Sequence, residues 1–256
     1  MSNSKIAAQL YTLRDFMKTP KDIATTLAKV KKMGYDAVQL SGLGPIDPKQ
    51  LQVIVEREQL TVAATHVSFE RMQDDIEAVI NEHKLWNCRY VGIGGLPGAY
   101  QTSREGYERF AKEASVVAKV LDDNGLRFIY HNHHFEFQKF GDAIGLEILY
   151  RESDPKVFDF ELDTYWVQTG GGDSAAWIRK FKDRMKVIHL KDMSITEDRK
   201  QVFAEIGEGN LNWPSILEAC REIGIEWYIV EQDTCQRDPF ESLAISLRNL
   251  KVMSLQ

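Results

Sequence analysis

Residues 89–137 read RYVGIGGLPGAYQTSREGYERFAKEASVVAKVLDDNGLRFIYHNHHFEF, and they contain a strand, a helix and a second strand. The apolar runs 89–95 and 126–137 have the length and composition of strands. Between them, apolar residues recur at helical spacing from 103 to 123, and Asn124-Gly125 ends the helix. Strands joined through a helix lie parallel in one sheet, so this stretch predicts an α/β fold.

The same alternation of short apolar runs and amphipathic stretches continues along the chain. Eight runs have the character of strands: 5–13, 35–42, 60–69, 89–95, 126–137, 157–166, 185–193 and 226–233. Helices are predicted at 20–33, 47–58, up to about 86, 103–123, 142–151, from Asp173, at 213–223 and from Pro239, and residues 194–211 are predicted to be a long loop. The runs are nearly continuous in apolar residues, as expected for strands covered on both faces.

Eight such units favour a closed (β/α)8 TIM barrel over a doubly wound sheet. The chain has 256 residues, close to the roughly 250 that such a barrel needs. No linker, low-complexity segment or short repeat indicates a domain boundary, so a single domain is predicted over residues 1–256.

Composition limits the classes of partner. The net charge of −6 weighs against a nucleic-acid partner. The N-terminal residues lack the apolar stretch of a signal peptide, and no apolar run approaches the length of a membrane span. Three widely spaced cysteines (Cys88, Cys220 and Cys235) fit no metal or redox spacing and suit a cytoplasmic protein. Barrels of this size often form homo-oligomers, but no patch in the sequence indicates one.

Acidic and basic residues lie where the later strands end. The candidates are His66 on the third strand, His131, His133 and Glu136 on the fifth, Asp163 on the sixth, His189 and Lys191 on the seventh, and Glu231 and Asp233 on the eighth. The C-terminal ends of barrel strands meet at one mouth, where TIM-barrel enzymes have their active sites. Oxygen and imidazole ligands that converge there suit one divalent ion, Mn²⁺, Co²⁺, Mg²⁺ or Zn²⁺.

Each of these residues also has a purely structural interpretation. A histidine at a strand end is often only a packing residue with a hydrogen bond. An acid after a strand is often the N-cap of the next helix, which applies to Asp163 and Asp233. Four successive strands with a potential ligand at the same end favour the functional interpretation.

The chain resembles the xylose isomerase-like barrels, the sugar phosphate isomerase/epimerase and AP endonuclease 2 superfamily. The motifs that carry the resemblance are YHNHHFEF (130–137), LDTYW (162–166), VIHLKD (187–192), IGEGNLNW (206–213) and YIVEQD (228–233). The resemblance implies a metal site made by Asp163, His189 and Glu231 and a fourth ligand from the fifth strand. There the family usually has a glutamate, so either Glu136 reaches back or His131 replaces it, and Glu136 is favoured because it restores the family's ligand set.

The family's chemistry is proton transfer next to a carbonyl, so the resemblance implies an isomerase or epimerase of a small keto sugar or sugar phosphate. Glu231 is the expected ligand and base, and His131 or His133 the partner acid or base. Lys191 is expected to hold the developing oxyanion. His66 and Trp166 are expected to line the sugar pocket.

Three alternatives stay open. A dehydratase or lyase that acts on a 3-keto sugar or inosose begins with the same enolisation. An AP-endonuclease-like phosphodiesterase needs further histidine ligands, yet His83 and His134 fall outside the predicted mouth. The third alternative is a non-catalytic barrel that only binds sugar. No P-loop or dinucleotide fingerprint indicates a nucleotide cofactor.

Overall fold

A computed structural model describes residues 5–254 of the chain, so the first four and last two residues of the predicted domain lie outside the described residues. Eight parallel strands form a closed barrel, and β8 pairs with β1 to complete it. The strands are β1 (Lys5–Gln9), β2 (Ala37–Leu40), β3 (Thr61–His66), β4 (Tyr90–Ile93), β5 (Arg127–His131), β6 (Phe158–Asp163), β7 (Met185–Leu190) and β8 (Trp227–Val230). The predicted fold class, an α/β TIM barrel, is confirmed.

Between residues 5 and 254, ten α-helices surround the barrel or connect its strands. They are α1 (Pro20–Met33), α2 (Pro48–Arg57), α3 (Phe69–Asp74), α4 (Ile76–Leu85), α5 (Arg104–Asp123), α6 (Gly145–Glu152), α7 (Thr164–Thr169), α8 (Ser174–Lys180), α9 (Trp213–Ile223) and α10 (Pro239–Ser254). Within residues 5–254, no helix combines the length and the apolar character that a bilayer span requires.

The ends of α1 show how local sequence sets an element's bounds. Thr19 accepts a hydrogen bond from the backbone N–H of Asp22, whose carboxylate accepts one from the N–H of Thr19, a reciprocal capping box. Pro20 occupies the first helical position, where no N–H is needed. Gly34 ends the helix with φ +101°, a left-handed conformation that favours glycine. The predicted bounds of this helix are confirmed.

Three connections differ from the predicted elements. The predicted first strand ends at Gln9 and continues as the 3-10 helix Leu10–Phe16. The sixth run ends at Asp163, because residues 164–169 form α7. The predicted loop 194–211 contains part of the antiparallel hairpin Asp192–Ile195 and Gln201–Ala204. Apolar composition alone did not separate these short elements from the strands and loops beside them.

The alternation of β6 separates the site from the core. Phe158 and Phe160 pack outward, where Phe158 contacts Phe110 of α5 and Phe160 contacts Phe181 after α8. The intervening residues of β6 that share the opposite face are acidic: Asp159, Glu161 and Asp163. Successive strand side chains point to opposite faces, so this face looks into the barrel. The strand therefore carries acidic groups along the axis and an aromatic core outside it.

Asp192 organises the loop that follows β7. Its carboxylate accepts hydrogen bonds from the backbone N–H groups of Gly207 (2.8 Å), Gly209 (3.1 Å) and Leu211 (3.2 Å) and from Nε1 of Trp213 (2.6 Å). A Cβ on Gly209 would lie 2.4 Å from Oδ1 of Asp192, so the loop can wrap the carboxylate only with glycine there. The IGEGNLNW motif is thus a loop folded around one buried carboxylate.

Replacement Asp192→Asn is expected to destabilise the protein by about 3 kcal/mol, because hydrogen bonds to a charged acceptor are lost and an amide N–H₂ faces N–H donors. Urea unfolding followed by circular dichroism measures the free energy of unfolding of the variant and of the wild type. Asp198→Asn, on the exposed turn of the neighbouring hairpin, is the control and should stay within about 0.5 kcal/mol of the wild type. Equal stability of the two variants would contradict this role of Asp192.

His83 lies on α4 outside the barrel, away from the mouth as predicted. Its Nε2 lies 2.7 Å from Oγ1 of Thr65, and its Nδ1 lies 2.7 Å from the carbonyl of Val79. The carbonyl is an acceptor, so Nδ1 carries the proton and the neutral ring satisfies both contacts. Burial lowers the pKa of His83 to about 4.

The stability that neutral His83 contributes should be present above pH 6.5 and lost as the pH falls to about 4, because only the unfolded chain gains the proton in that interval. The change is up to about 3 kcal/mol. The free energy of unfolding of the wild type and His83→Gln, measured between pH 7 and 4, should converge as the pH falls. A constant difference would show that His83 does not titrate in this way.

Candidate active site

Four buried side chains from the ends of neighbouring strands converge at the mouth of the barrel. His131 ends β5, Asp163 ends β6, His189 lies near the end of β7, and Glu231 follows β8. One ligand atom from each lies within 4.8 Å of the others. The parallel register places Asp163 beside His189, so the grouping is a consequence of strand pairing. We call these four residues the ligand group.

Asp163 caps a helix with one carboxylate oxygen and turns the other towards the ligand group. Its Oδ1 accepts a hydrogen bond from the backbone N–H of Trp166 (3.0 Å) and caps α7. Its Oδ2 faces the ligand group, 3.1 Å from Nε2 of His131 and 3.8 Å from Nδ1 of His189. The cap therefore fixes the carboxylate in the orientation that the site uses.

Lys191 supplies positive charge to the carboxylates around it. Its Nζ lies 2.7 Å from Oε2 of Glu231, 2.9 Å from Oδ2 of Asp233 and 3.1 Å from Oδ2 of Asp163. Burial disfavours the ammonium, but these three carboxylates outweigh burial and raise the pKa of Lys191. Asp233 is thus a partner of Lys191 and does not cap the last helix. Asp238 accepts hydrogen bonds from the first N–H groups of that helix instead.

His189 and Glu231 form the other charged contact of the ligand group. Nδ1 of His189 lies 2.9 Å from Oε2 of Glu231. Burial alone lowers the pKa of His189, but Glu161 and Glu231 outweigh it and raise this pKa to about 10. Burial opposes ionisation of Glu231, yet Lys191 and His189 hold its pKa well below the usual range. The site therefore contains paired charges of opposite sign.

His131 occupies the position on the fifth strand that faces the ligand group. Its Nδ1 lies 3.2 Å from the carbonyl of Gly94, an acceptor, so Nδ1 carries the proton. Burial and the positive charges of His189 and Lys191 lower the pKa of His131, which keeps the ring neutral. The bare Nε2 then faces Oδ2 of Asp163 at 3.1 Å. Two acceptors so close repel each other unless a cation lies between them.

Glu136, the fourth ligand that the sequence favoured, lies outside the ligand group. Its carboxylate accepts hydrogen bonds from the Tyr130 hydroxyl (2.6 Å) and the backbone N–H of His133 (2.9 Å). Burial raises the pKa of Glu136 to about 7. The 3-10 helix Phe135–Phe137 turns the chain after the strand, so this carboxylate supports the loop that carries His133. The geometry favours His131 at the position assigned to Glu136.

The ligand group fits a divalent ion by its chemistry. It combines two imidazole nitrogens and two carboxylate oxygens, a set that suits Mn²⁺, Co²⁺ or Zn²⁺. The hydrogen bond from His131 to Gly94 is the type of second contact that orients a histidine ligand. The close approach of the bare His131 nitrogen and Asp163 would be relieved by such an ion.

Aromatic side chains form one wall of the mouth beside the ligand group. The ring of His133 lies 5.2 Å from that of Trp166, which also stacks with His134. Nζ of Lys191 lies 5.7 Å from the Trp166 ring. Among the residues that the structure describes, Nδ1 of His133 and Nε1 of Trp166 are buried and find no hydrogen-bond partner. The hydrogen-bonding capacity of both atoms is therefore unused within the described residues.

His66, predicted to line the pocket, turns into the barrel. Its Nε2 lies 2.8 Å from Oε2 of Glu161, and its ring stacks against His189 at 5.4 Å. A Cβ on Gly92 would lie 3.0 Å from the His66 ring, and one on Gly95 would lie 2.9 Å from the His133 ring. Gly92 within β4 and Gly95 just after it therefore make room for two site histidines.

Two buried residues of this site were not identified from the sequence, Gln39 and Glu161. Gln39 is the one polar residue of the strand AVQL, and Glu161 lies in the middle of FDFELD, where acidic and apolar residues alternate. A polar residue inside a strand that should be buried on both faces is the signal that indicates an inward-facing site residue.

Comparison with known proteins gives the relationship. A model of the xylose isomerase-like TIM barrel family matches residues 27–252. The chain is 24% identical over 247 residues to an inosose dehydratase of Lacticaseibacillus casei, covering 81% of this chain and 82% of that relative.

Solved structures share the fold. A sugar phosphate isomerase/epimerase from Parabacteroides distasonis ATCC 8503 superposes with a TM-score of 0.81 at 23% identity and covers 98% of this chain and 94% of the other. An L-ribulose 3-epimerase gives a TM-score of 0.74 at 16% identity, with coverage of 98% and 94%. The resemblance seen in the motifs is confirmed, and the chain belongs to the xylose isomerase-like TIM barrel family.

Proposed function

We propose that the chain is a divalent-metal-dependent dehydratase that removes water from a small keto sugar or keto-cyclitol of the inosose type. The observation that carries the proposal is the buried ligand group, His131, Asp163, His189 and Glu231, beside the ammonium of Lys191. A divalent ion held by these four residues supplies Lewis-acid polarisation of a carbonyl oxygen. That chemistry belongs to reactions that begin by removing a proton next to a carbonyl.

The replacement of a carboxylate by His131 favours elimination over epimerisation. A two-glutamate mechanism places a carboxylate base on each side of the substrate carbon, and here the ligand group contains one glutamate. Elimination needs one base for the proton on carbon and one donor for the departing hydroxyl. The inosose dehydratase relative also supports this choice.

The contacts divide the work among the residues. Oε2 of Glu231 is engaged by Lys191 and His189, which reduces its power as a base, so we assign Glu231 to the metal. Burial, with the neighbouring His131 and Lys191, lowers the pKa of His133 to about 3, so its ring is neutral, and we assign its unpartnered Nδ1 to accept the proton from carbon. The protonated His133 then gives this proton to the hydroxyl that leaves as water, and Lys191, which its three carboxylate partners keep charged, stabilises the negative charge that develops on oxygen. A carbon–carbon double bond forms, and no oxidant is needed.

An isomerase or epimerase of a keto sugar is the second candidate. It begins with the same proton removal, but the proton returns to carbon and no hydroxyl leaves. Structural similarity to a sugar phosphate isomerase/epimerase and an L-ribulose 3-epimerase supports it. The unpartnered Nε1 of Trp166 at the mouth suits a hydroxylated ring in either case.

The metal assignment is tested by metal content after purification and reconstitution with Mn²⁺, Co²⁺ or Zn²⁺. The wild type should hold one equivalent, and Asp163→Asn, Glu231→Gln and His131→Gln should lose it while circular dichroism shows an intact fold. Asparagine is also a good N-cap, so Asp163→Asn leaves α7 capped. Glu136→Gln is the matched control and should keep the metal. Metal loss in Glu136→Gln but not in His131→Gln would reverse the assignment of the fifth-strand ligand.

The reaction is tested with the metal-loaded protein, an inosose and a panel of ketohexoses in deuterated water. Elimination gives a product lighter by one water, whereas epimerisation gives deuterium at the α-carbon without loss of water. His133→Asn should lower kcat by about 10²- to 10⁴-fold with unchanged metal content, because it removes the acid–base group. Isomer formation without dehydration would favour the second candidate. Absence of both deuterium exchange and dehydration in the metal-loaded protein would contradict the proposal.

A further inference from the structure

A chain of buried amides leads from the barrel interior to the ligand group. Nε2 of Gln9 donates a hydrogen bond to Oε1 of Gln39 (2.7 Å). The same Oε1 lies 2.6 Å from Nε2 of His189, on the side of the ring opposite the ligand group. All three residues are fully buried.

Glu161 determines which way the Gln39 amide points. Nε2 of Gln39 lies 2.9 Å from Oε1 and 3.2 Å from Oε2 of Glu161. A carboxylate accepts hydrogen bonds, so the amide N–H₂ of Gln39 must face it and the amide oxygen must face His189. That oxygen can only accept, which places a proton on Nε2 of His189. The amide orientation is thereby fixed at both ends.

The hydrogen bond at Nε2 determines where the other ring nitrogen of His189, Nδ1, points. With Nε2 engaged as a donor, Nδ1 points to Glu231 at 2.9 Å and Asp163 at 3.8 Å. We infer that Glu161 is a positioning residue, which acts through Gln39 to hold the His189 ring with Nδ1 available to the metal. The inference rests on the proposed function, because the ion is what Nδ1 would bind.

Packing alone does not explain why a carboxylate, Glu161, lies inside the barrel. The buried cluster within the barrel, which includes Ala7, Val187 and Ile229, is largely apolar, and a buried carboxylate without partners is costly. Glu161 is retained with three partners, Gln39, His66 and His189, the last at 3.3 Å. Its Oε1 is shared by Gln39 and His189, so it supports the histidine both directly and through the amide.

The inference is tested by the affinity for Co²⁺ of a single variant and of a double variant in which the acid and the amide exchange positions. Glu161→Gln replaces one of the two acceptor oxygens beside Gln39 by an N–H₂ donor, so the Gln39 amide is no longer held in one orientation. The dissociation constant for Co²⁺ should therefore rise about 10- to 100-fold. The double variant Gln39→Glu/Glu161→Gln places the carboxylate against Nε2 of His189 and the amide at 161. It should restore most of the lost affinity and the absorption spectrum of the Co²⁺ protein, because the hydrogen-bond directions are restored. An unchanged affinity in Glu161→Gln, or no restoration in the double variant, would overturn the inference.

Asp159→Asn is the matched control, since Asp159 lies two residues earlier on β6 and pairs with Arg127. It should bind Co²⁺ as the wild type does, and a loss equal to that of Glu161→Gln would show a general effect of β6 that overturns the inference. The proton on Nε2 of His189 is read separately, without metal, from ¹⁵N–¹H spectra of histidine-labelled protein, assigned with His189→Gln.

Slow exchange of the Nε2 proton with solvent in the wild type, faster exchange in Glu161→Gln and slow exchange again in the double variant support the inference, because the proton is protected only while it is donated to Gln39. An Nε2 without a proton in the wild type would overturn it. If the wild type binds no Co²⁺ while the Nε2 proton behaves as expected, the proposed function fails and the positioning of His189 stands.

Discussion

The pairing of buried charges inside the barrel is the constraint on which the rest of the site depends. Glu161, Asp163 and Glu231 are withdrawn from water, and a buried carboxylate is tolerated only when it is paired and hydrogen-bonded. His189 lies between them, and Lys191 contacts the two nearer the mouth. Every orientation at the mouth therefore has to satisfy these partners at the same time.

The barrel meets this constraint because its strands are rigid and their side chains alternate. On β6 the acidic residues share one face and the phenylalanines the other, so the aromatic core outside the barrel holds the carboxylates inside it. The loop around Asp192 fixes the chain directly after Lys191, and the cap made by Asp163 fixes the start of α7. These hydrogen bonds therefore hold Lys191 and Asp163 in position.

The same arrangement explains how one set of residues suits carbonyl chemistry. The ligand group could hold one ion through its nitrogen and oxygen atoms, and Lys191 places a positive charge beside it. His133 and Trp166 carry buried polar atoms without a partner among the described residues. His131 replaces a carboxylate in this set and lowers the negative charge of the group by one. This difference is the reason for proposing elimination instead of an epimerisation in which two glutamates exchange a proton with the substrate carbon.

The sequence alone determined the alternation of strands and helices, the closed barrel and the strand ends at which reactive groups meet. These features follow from local composition and periodicity, and Pro20, Gly34 and Asp47 mark helix bounds directly. Asp163, His189 and Glu231 could be predicted as neighbours, because parallel strands bring their C-terminal ends to one mouth.

Only the tertiary structure placed His131, and not Glu136, beside Asp163 and brought Gln39 to Glu161, residues 122 positions apart. The choice at the fifth strand depends on a single turn of 3-10 helix, which directs Glu136 to Tyr130 and leaves His131 facing Asp163. The contact of Gln39 depends on the register of strands across the barrel. Local sequence carries neither, because both depend on which groups meet across the closed interior and on the requirement that each buried polar atom finds a partner there.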